Sequence, residues 1–236
     1  MLALGLATLA AAGCESTQQK SARLARGARA GARERGVVVR VQNPLVRVLA
    51  TGVVSDRYGT AAYVRVRSRA RRDQALLPLN FAIEDARGKA VFANTVPGLA
   101  PSLTHVPLLR AGEEAWWVDD QVTARGAGRV HAKVGSSSVA LRGSPPKLAP
   151  GGLTLQRDPS GAYTRGALRN LSGVEQRNLI VYAVALKHGR VVAAGRAGIQ
   201  RLKAHGRAVF KVFWIGDARG ARVRVFAPPT VLREGS

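Results

Sequence analysis

Clustered arginine and lysine side chains are the residues of this sequence best suited to bind a ligand. The chain has 37 Lys and Arg against 14 Asp and Glu, a formal net charge of +23 that exceeds what solubility requires. Between residues 150 and 230 there are only three acids, and cations crowd near two predicted turns. These candidate anion-binding residues are Arg196, Arg201, Lys203 and Arg207 at one turn and Arg219, Arg222 and Arg224 at the other. If both turns lie at one end of the fold, we expect a site for phospholipid headgroups, acidic glycans or lipopolysaccharide phosphates, with DNA as the least suited ligand.

Catalytic and metal-binding chemistry has little support in the residue pattern. No histidine lies in a recognisable nucleophile motif, and no glycine-rich phosphate loop opens a helix. The acids at residues 113–114 and 119–120 are poorly arranged to bind a cation such as calcium. Neighbours on a strand point to opposite faces, so each pair offers at most one ligand per face. We therefore predict no enzyme, no cofactor and no metal site. An enzyme would require His105 to converge with Glu113 or Asp119 in a cleft.

One cysteine, Cys14, follows an apolar run at residues 2–12. That run is too short for a helix to cross a bilayer of ~30 Å, so it is predicted as part of a cleaved signal peptide. After the small residues Ala11, Ala12 and Gly13, the Cys14 thiol is the nucleophile available for acylation. The segment resembles the lipobox of bacterial lipoproteins, which implies a signal peptide at 1–13 and a lipid anchor in the cell membrane or outer membrane, outside the cytoplasm. The alternative is an ordinary secretory signal that leaves Cys14 as a free thiol.

A basic tether is predicted at residues 14–36, where cations alternate with alanine and three glycines weaken any helix. Its candidate anion-binding residues are Arg23, Arg26, Arg29 and Arg33. Beside a lipidated cysteine, each cation would add about 1 kcal/mol of attraction to anionic headgroups. The alternative interpretation is a solvated spacer.

Beyond residue 36, short apolar runs alternate with polar residues, the pattern of strands with one buried face. Val64 and Val66, for example, point to one side of a strand and Arg65 and Arg67 to the other. Similar runs occur at 37–41, 81–83, 115–118, 129–134, 179–186, 208–215 and 222–226. Strands separated by Gly and Pro turns, without long helical periodicity, predict an all-β sandwich or barrel.

The two halves of the sequence resemble each other. Phe81 and the turn at Gly88 align with Tyr182 and the turn at Gly189, and each pair predicts a hairpin. Outside the hairpins, Tyr63 aligns with Tyr163 and Trp116 with Phe210. A Ser- and Pro-rich stretch separates the halves. We therefore predict sandwich domains at 37–141 and 150–230, joined by a linker at 142–149.

A domain family resembles both halves. Residues 81–85, followed by Gly88 and Lys89, are similar to the FxLYD domain, a small immunoglobulin-like sandwich common in bacterial lipoproteins. In the second half, residues 170–172 and 182–189 resemble the same pattern. The resemblance implies tandem immunoglobulin-like β-sandwiches and supplies no active site, because the matching residues are structural.

The leading interpretation is a non-catalytic envelope lipoprotein that presents a basic surface to an anionic envelope polymer or membrane surface. The alternative is a structural or assembly partner that binds another envelope protein through residues 94–108. That proline-rich segment has no counterpart of its length in the second half, and long ordered loops are often functional. The candidate partner-binding residues are Pro97, Gly98, Pro101 and Trp116.

Overall fold

A computed structural model describes residues 36–124, 128–141 and 143–232. They lie in one compact unit that begins at Gly36. The structure is nearly all β, with 61% strand and 2% helix, arranged in several antiparallel sheets. The predicted all-β, sandwich-like fold class is thereby confirmed. The only helix among the described residues has four residues. No helix among them is long and apolar enough to cross a bilayer.

Seven strands and one short helix form the first half. They are β1 (Val46–Asp56), β2 (Gly59–Ser68), β3 (Gln74–Glu84), β4 (Ala90–Ala93), α1 (Pro101–Thr104), β5 (His105–Leu109), β6 (Glu114–Val122) and β7 (Arg129–Val134). One antiparallel sheet has the order β1-β2-β6. In the other, β3 pairs antiparallel with β4, β5 and β7.

Seven further strands form the second half. They are β8 (Leu148–Asp158), β9 (Gly161–Asn170), β10 (Gln176–Lys187), β11 (Arg190–Leu202), β12 (Arg207–Phe213), β13 (Ile215–Gly216) and β14 (Arg222–Phe226). Their two sheets have the orders β12-β9-β8 and β13-β11-β10-β14. The β8-β9-β12 sheet repeats the pairing of β1, β2 and β6, and β10 takes the central place that β3 has in the first half.

The structural register of this repeat differs from the sequence alignment by one residue in the central strand. Phe81 packs in the core of its own half, whereas Tyr182, its aligned residue, points away from the second core. Ala183 is the inward-facing equivalent. The shift arises in the turn, because five residues separate the paired Glu84 and Ala90 but only four separate Leu186 and Val191.

Strand β10 is buried on both faces. Val181 and Ala183 belong to the core of the second half, whereas Tyr182 and Val184 pack in a cluster with residues of β2 and β6. Because neighbouring residues on a strand point to opposite faces, the continuous apolar run of β10 serves two interfaces. The outer face of the β1-β2-β6 sheet is thus covered by the β10-β11 face of the second half.

Polar contacts also join the two halves. The Arg196 Nε donates to Asp120 Oδ1 over 2.8 Å, and the side chain of Arg196 is only 9% exposed. The Tyr182 hydroxyl donates to the carbonyl oxygen of Ser102 over 3.1 Å. The backbone N–H of Gly216 donates to Asp56 Oδ2 over 2.8 Å.

One segment differs from the strand pattern predicted for it. Residues 37–41 form no strand; instead the Asn80 amide donates to the carbonyl of Val37 and accepts from the N–H of Val39. Near the predicted linker, Pro145 and Pro146 are buried and their carbonyl oxygens accept from Arg110. Strand β8 already begins at Leu148.

Candidate functional site

Four rows of side chains cross the outer face of the β8-β9-β12 sheet. The cross-strand register makes these rows Arg207, Arg169 and Ala149; Val209, Ala167 and Gly151; Lys211, Arg165 and Thr154; and Phe213, Tyr163 and Gln156. Alternate residues of a strand share a face, so the four cations lie on one side of the sheet. We call these four rows the cationic face.

The cations of this face form a compact rectangle. Arg165 and Arg169 are four residues apart on β9, roughly 13 Å along the strand. Their cross-strand partners Lys211 and Arg207 lie on β12, about 4.8 Å away between strand axes. Like charges directly opposite each other destabilise a sheet, so this arrangement has a cost in the absence of an anion.

Nothing acidic offsets these charges within the rows. All four cationic residues are exposed, and no ion pair joins any of them to another described residue. The twelve residues of the rows include no acid; the next one along β8 is Asp158, whose carboxylate accepts the N–H of Ser160. The cationic face therefore presents uncompensated positive charge.

Aromatic and aliphatic side chains share this face. Val209 is 52% exposed between the two cationic rows, and Phe213 is 42% exposed beyond them. The Phe213 ring lies 5.4 Å from the ring of Tyr163, over which the Lys211 Nζ stands at 4.6 Å. The face thus offers both charge and apolar surface to a ligand.

The sequence-predicted cations of the second half do not form one site. Arg201 pairs with Arg177 on β10 and Arg222 pairs with Leu186, nine residues or roughly 30 Å further along the strand. The two turns therefore lie at opposite ends of the sheet, so the condition stated for a single site is not met. Of the predicted residues, only Arg207 belongs to the cationic face.

Several predicted cations form ion pairs with neighbouring acids. Arg196 is buried against Asp120 and is not available at the surface. Hydrogen bonds from Arg201 and then Arg177 lower the pKa of Glu175. The guanidinium of Arg219 likewise lowers the pKa of Asp217, which it contacts at 2.6 Å.

The remaining predicted cations of the second half, Lys203, Arg222 and Arg224, are exposed. They lie outside the four rows. The predicted lipidation residue Cys14 and the tether cations Arg23, Arg26, Arg29 and Arg33 lie outside the described residues.

The proline-rich segment at residues 94–108 contacts both halves of the described chain. Asn94 is fully buried, and its side-chain amide donates to the carbonyls of Leu79 and Leu103. The carbonyl of Ser102 accepts from the Trp117 indole N–H over 2.9 Å as well as from Tyr182. This segment therefore connects the two halves of the described chain.

The predicted partner-binding residues have different environments. Pro97 and Gly98 are exposed in the loop, and Pro101 begins α1. Trp116 is half-buried, with the Arg65 guanidinium 5.2 Å above its ring.

His105 and the buried Asp119 are held by local contacts. His105 Nδ1 is 2.9 Å from the Thr104 hydroxyl, and burial lowers the pKa of His105. Burial raises the pKa of Asp119, whose carboxylate accepts the N–H of Gln121. Within the part of the chain that the structure describes, no three His, Cys, Asp or Glu side chains come together as metal ligands.

Sequence reasoning missed Arg165, Arg169 and Lys211. The signal was present, because 165 and 169 on β9 and 207 and 211 on β12 repeat a cation at every fourth strand residue, on one face. Their convergence depends on β9 pairing with β12, which composition does not reveal.

Comparison with known proteins does not add to this geometry. The chain matches no protein-family model, and no curated protein is significantly similar to it.

Proposed function

We propose that this protein is a non-catalytic, lipid-anchored protein of the bacterial cell envelope that binds an anionic polymer or membrane surface through the cationic face. The observation that carries the proposal is the open rectangle of Arg165, Arg169, Arg207 and Lys211, which contains no acid. Placing like charges opposite each other lowers stability, and a bound anionic ligand would reduce this repulsion. Phosphate and carboxylate groups are the chemistry that such a surface binds.

The four cations favour binding of an anion by electrostatic attraction, whereas their mutual repulsion does not stabilise the fold. Cations at the surface attract anions within a Debye length of about 10 Å at 0.1 M salt. Two cations on each of two adjacent strands let one polyanion contact all four at once. We therefore expect affinity to fall steeply with salt and with reversal of these charges.

The test compares two double charge reversals with the same change in net charge. Both are made in the full chain carrying Cys14→Ala, which cannot be acylated, so that a lipid anchor does not contribute. Arg165→Glu with Lys211→Glu alters the cationic face; Arg222→Glu with Arg224→Glu alters exposed cations of β14 outside it. Binding to long-chain polyphosphate is measured at 50 mM and 500 mM salt.

We expect the Arg165 and Lys211 reversals to weaken polyphosphate binding at 50 mM salt by at least tenfold, since each cation contributes about 1 kcal/mol. The β14 reversals should weaken it by about threefold or less. Equal losses in both variants would show that net charge alone causes binding. Affinity that is unchanged at 500 mM salt would refute an electrostatic interaction.

The proposed anchor has its own test. Intact-mass analysis of the native protein recovered from membranes should give a diacyl or triacyl mass on a chain beginning at Cys14. The same analysis of Cys14→Ala should give an unacylated chain. An unmodified wild-type chain would make the protein a soluble, secreted basic protein.

A further inference from the structure

The cationic face carries exposed apolar side chains at positions where a purely electrostatic site would not need them. Val209 lies between Arg207 and Lys211 on β12, and its side chain is 52% exposed. Phe213, two residues beyond Lys211, is 42% exposed. Both side chains point to the same side of the sheet as the cations, because each lies two positions along β12 from a cation and alternate residues of a strand share a face.

A soluble polyanion and a bilayer differ in what they offer these residues. A hydrated polyphosphate or acidic glycan provides charge but little apolar surface. The interface of an anionic bilayer provides headgroup charge and, a few ångströms deeper, an apolar environment. A soluble polyanion leaves the Val209 and Phe213 side chains in water, whereas the bilayer interface removes them from water, which is favourable.

The cations and the apolar side chains lie on one side of a single sheet. The four rows come from three adjacent strands of this sheet, so these side chains project from a common surface. The opposite face of this sheet is anchored in the second core through Leu168, Phe210 and Val212. The surface is therefore held in place by packing beneath it.

We propose that the cationic face lies on an anionic phospholipid bilayer, with Arg165, Arg169, Arg207 and Lys211 at the headgroups and Val209 and Phe213 entering the interface. This inference rests on the proposed function and specifies its ligand. A phospholipid phosphate and a free phosphate polymer share the same anionic chemistry, and the apolar residues distinguish them.

The experiment uses the full chain with Cys14→Ala and vesicles of phosphatidylcholine containing about one third phosphatidylglycerol. One variant, Val209→Ser with Phe213→Ser, keeps every charge and removes the apolar surface. Its matched control is Leu171→Ser with Val38→Ser, two apolar residues that are 45% and 63% exposed outside the face. Long-chain polyphosphate is the soluble probe, and thermal unfolding checks that each variant is folded.

We expect the Val209 and Phe213 variant to bind vesicles about tenfold more weakly while its binding to polyphosphate changes by less than about twofold. The control should bind both probes as the parent does. Vesicle binding equal to that of the parent would overturn the bilayer inference and leave a soluble polyanion or acidic glycan as the ligand. The proposed function fails separately, when Arg165→Glu with Lys211→Glu binds polyphosphate as tightly as the parent.

A second measurement does not depend on loss of binding. In the Cys14→Ala chain with Phe213→Trp, the indole should report on insertion directly. Because the chain has three other tryptophans, the emission of the new indole is obtained by subtracting the spectrum of the Cys14→Ala chain that keeps Phe213. This emission should shift to shorter wavelength when phosphatidylglycerol vesicles are added. Lipids brominated on the acyl chain should quench it. An unshifted and unquenched spectrum on bound vesicles would contradict insertion.

Discussion

The β1-β2-β6 and β8-β9-β12 sheets occupy equivalent places in the two halves, but their outer faces have different charges. At the same rung of the ladder, Arg67 pairs with Glu114 in the first half and Arg169 pairs with Arg207 in the second. Glu114 also accepts two hydrogen bonds from Arg65, at 2.6 Å and 2.8 Å. The first sheet thus pairs two of its cations with Glu114, although Arg47 lies opposite Arg67 on the same face. The four cations of the second sheet have no acid beside them.

The two faces also differ in what covers them. Much of the β1-β2-β6 face is covered by Tyr182, Val184, Ala194 and Ile215 of the second half. Under this cover Arg196, with a side chain 9% exposed, is paired with Asp120, because an unpaired charge removed from water is costly. Arg65 and Glu114 are more exposed, at 39% and 29%. The β8-β9-β12 face is exposed to solvent, which lets it retain cations that could not be buried.

The largest expected effect is at the covered face, where Asp120 pairs with Arg196. Asp120→Ala leaves a 9% exposed guanidinium without its carboxylate and should lower the free energy of unfolding by about 3 kcal/mol. At the equivalent position of the open sheet, Phe213→Ala should cost less than about 1 kcal/mol, since Phe213 is 42% exposed. Urea unfolding followed by circular dichroism measures both.

A double variant serves as the control for this comparison. Arg196→Met combined with Asp120→Ala removes the buried charge as well as its partner, so most of the lost stability should return. If Asp120→Ala alone unfolds within about 0.5 kcal/mol of the parent, the ion pair does not hold the two halves together.

The next effect compares two glutamines that begin the central strands, Gln176 and Gln74. Gln176 is fully buried, donates to the carbonyls of Val174 and Val231, and accepts the N–H groups of Thr230 and Val231. Gln74 Oε1 has no hydrogen-bond partner among the described residues. Gln176→Ala should therefore cost about 2 kcal/mol and Gln74→Ala about 1 kcal/mol or less.

Chemical denaturation of the two alanine variants side by side provides the measurement. Equal losses of stability would show that Gln74 is as fully bonded as Gln176. A conservative change, Gln176→Glu, should be nearly as harmful as Gln176→Ala, because the carboxylate cannot donate to the two carbonyls.

A smaller, pH-dependent effect concerns Asp119, which stands on β6 where the second half has the buried Val212 on β12. Burial raises the pKa of Asp119, so between the unfolded and folded pKa the folded chain binds more protons and its stability falls as pH rises. Asp119→Asn should therefore stabilise the protein by on the order of 1 kcal/mol at pH 7 and have no effect well below pH 4.

Asp217 provides a control of opposite sign. Its pKa is lowered by hydrogen bonds from Arg219, so its contribution to stability is present above the unfolded pKa and is lost on acidification. Asp217→Asn should destabilise at pH 7 and match the parent at low pH. Thermal unfolding from pH 3 to pH 8 tests both; parallel curves for Asp119→Asn and the parent would refute the raised pKa.

The smallest stability effect is at the cationic face itself. Lys211→Glu places a carboxylate directly opposite Arg165 and should raise the free energy of unfolding by about 0.5 kcal/mol. The same change should weaken polyphosphate binding. On the covered sheet, Glu114→Lys should instead lower stability by about 1 kcal/mol, because Arg65 and Arg67 lose their partner. Loss of stability in Lys211→Glu would mean that the four cations do not repel one another in the free protein.

The fold class could be predicted from sequence because strand patterning is local. The runs at 129–134 and 222–226 coincide with β7 and β14, where alternation or a short apolar run is unambiguous. The pattern at 37–41 is equally apolar but forms no strand, since its backbone is held by the side chain of Asn80. Alternation alone does not distinguish a strand from an extended segment that finds other partners.

The candidate site was only partly accessible to the same reasoning. Proximity in sequence grouped Arg219 with Arg222, and the structure shows that Arg219 is paired with Asp217. Arg196 looks like a surface cation in sequence, yet it is buried because the second half packs on Asp120 of the first. A residue's exposure depends on which surface its sheet packs against, and that surface is distant in sequence.

The amino-acid sequence by itself determined most of the strands, the repetition of the two halves and the excess of cations, because each depends on residue type and short-range spacing. Only the tertiary structure decided which cations remain uncompensated. Cross-strand pairing put Arg169 opposite Arg207, and the packing of β10 on the first half covered one equivalent sheet while leaving the other open. Those outcomes depend on contacts between residues far apart in the chain, which no local pattern specifies.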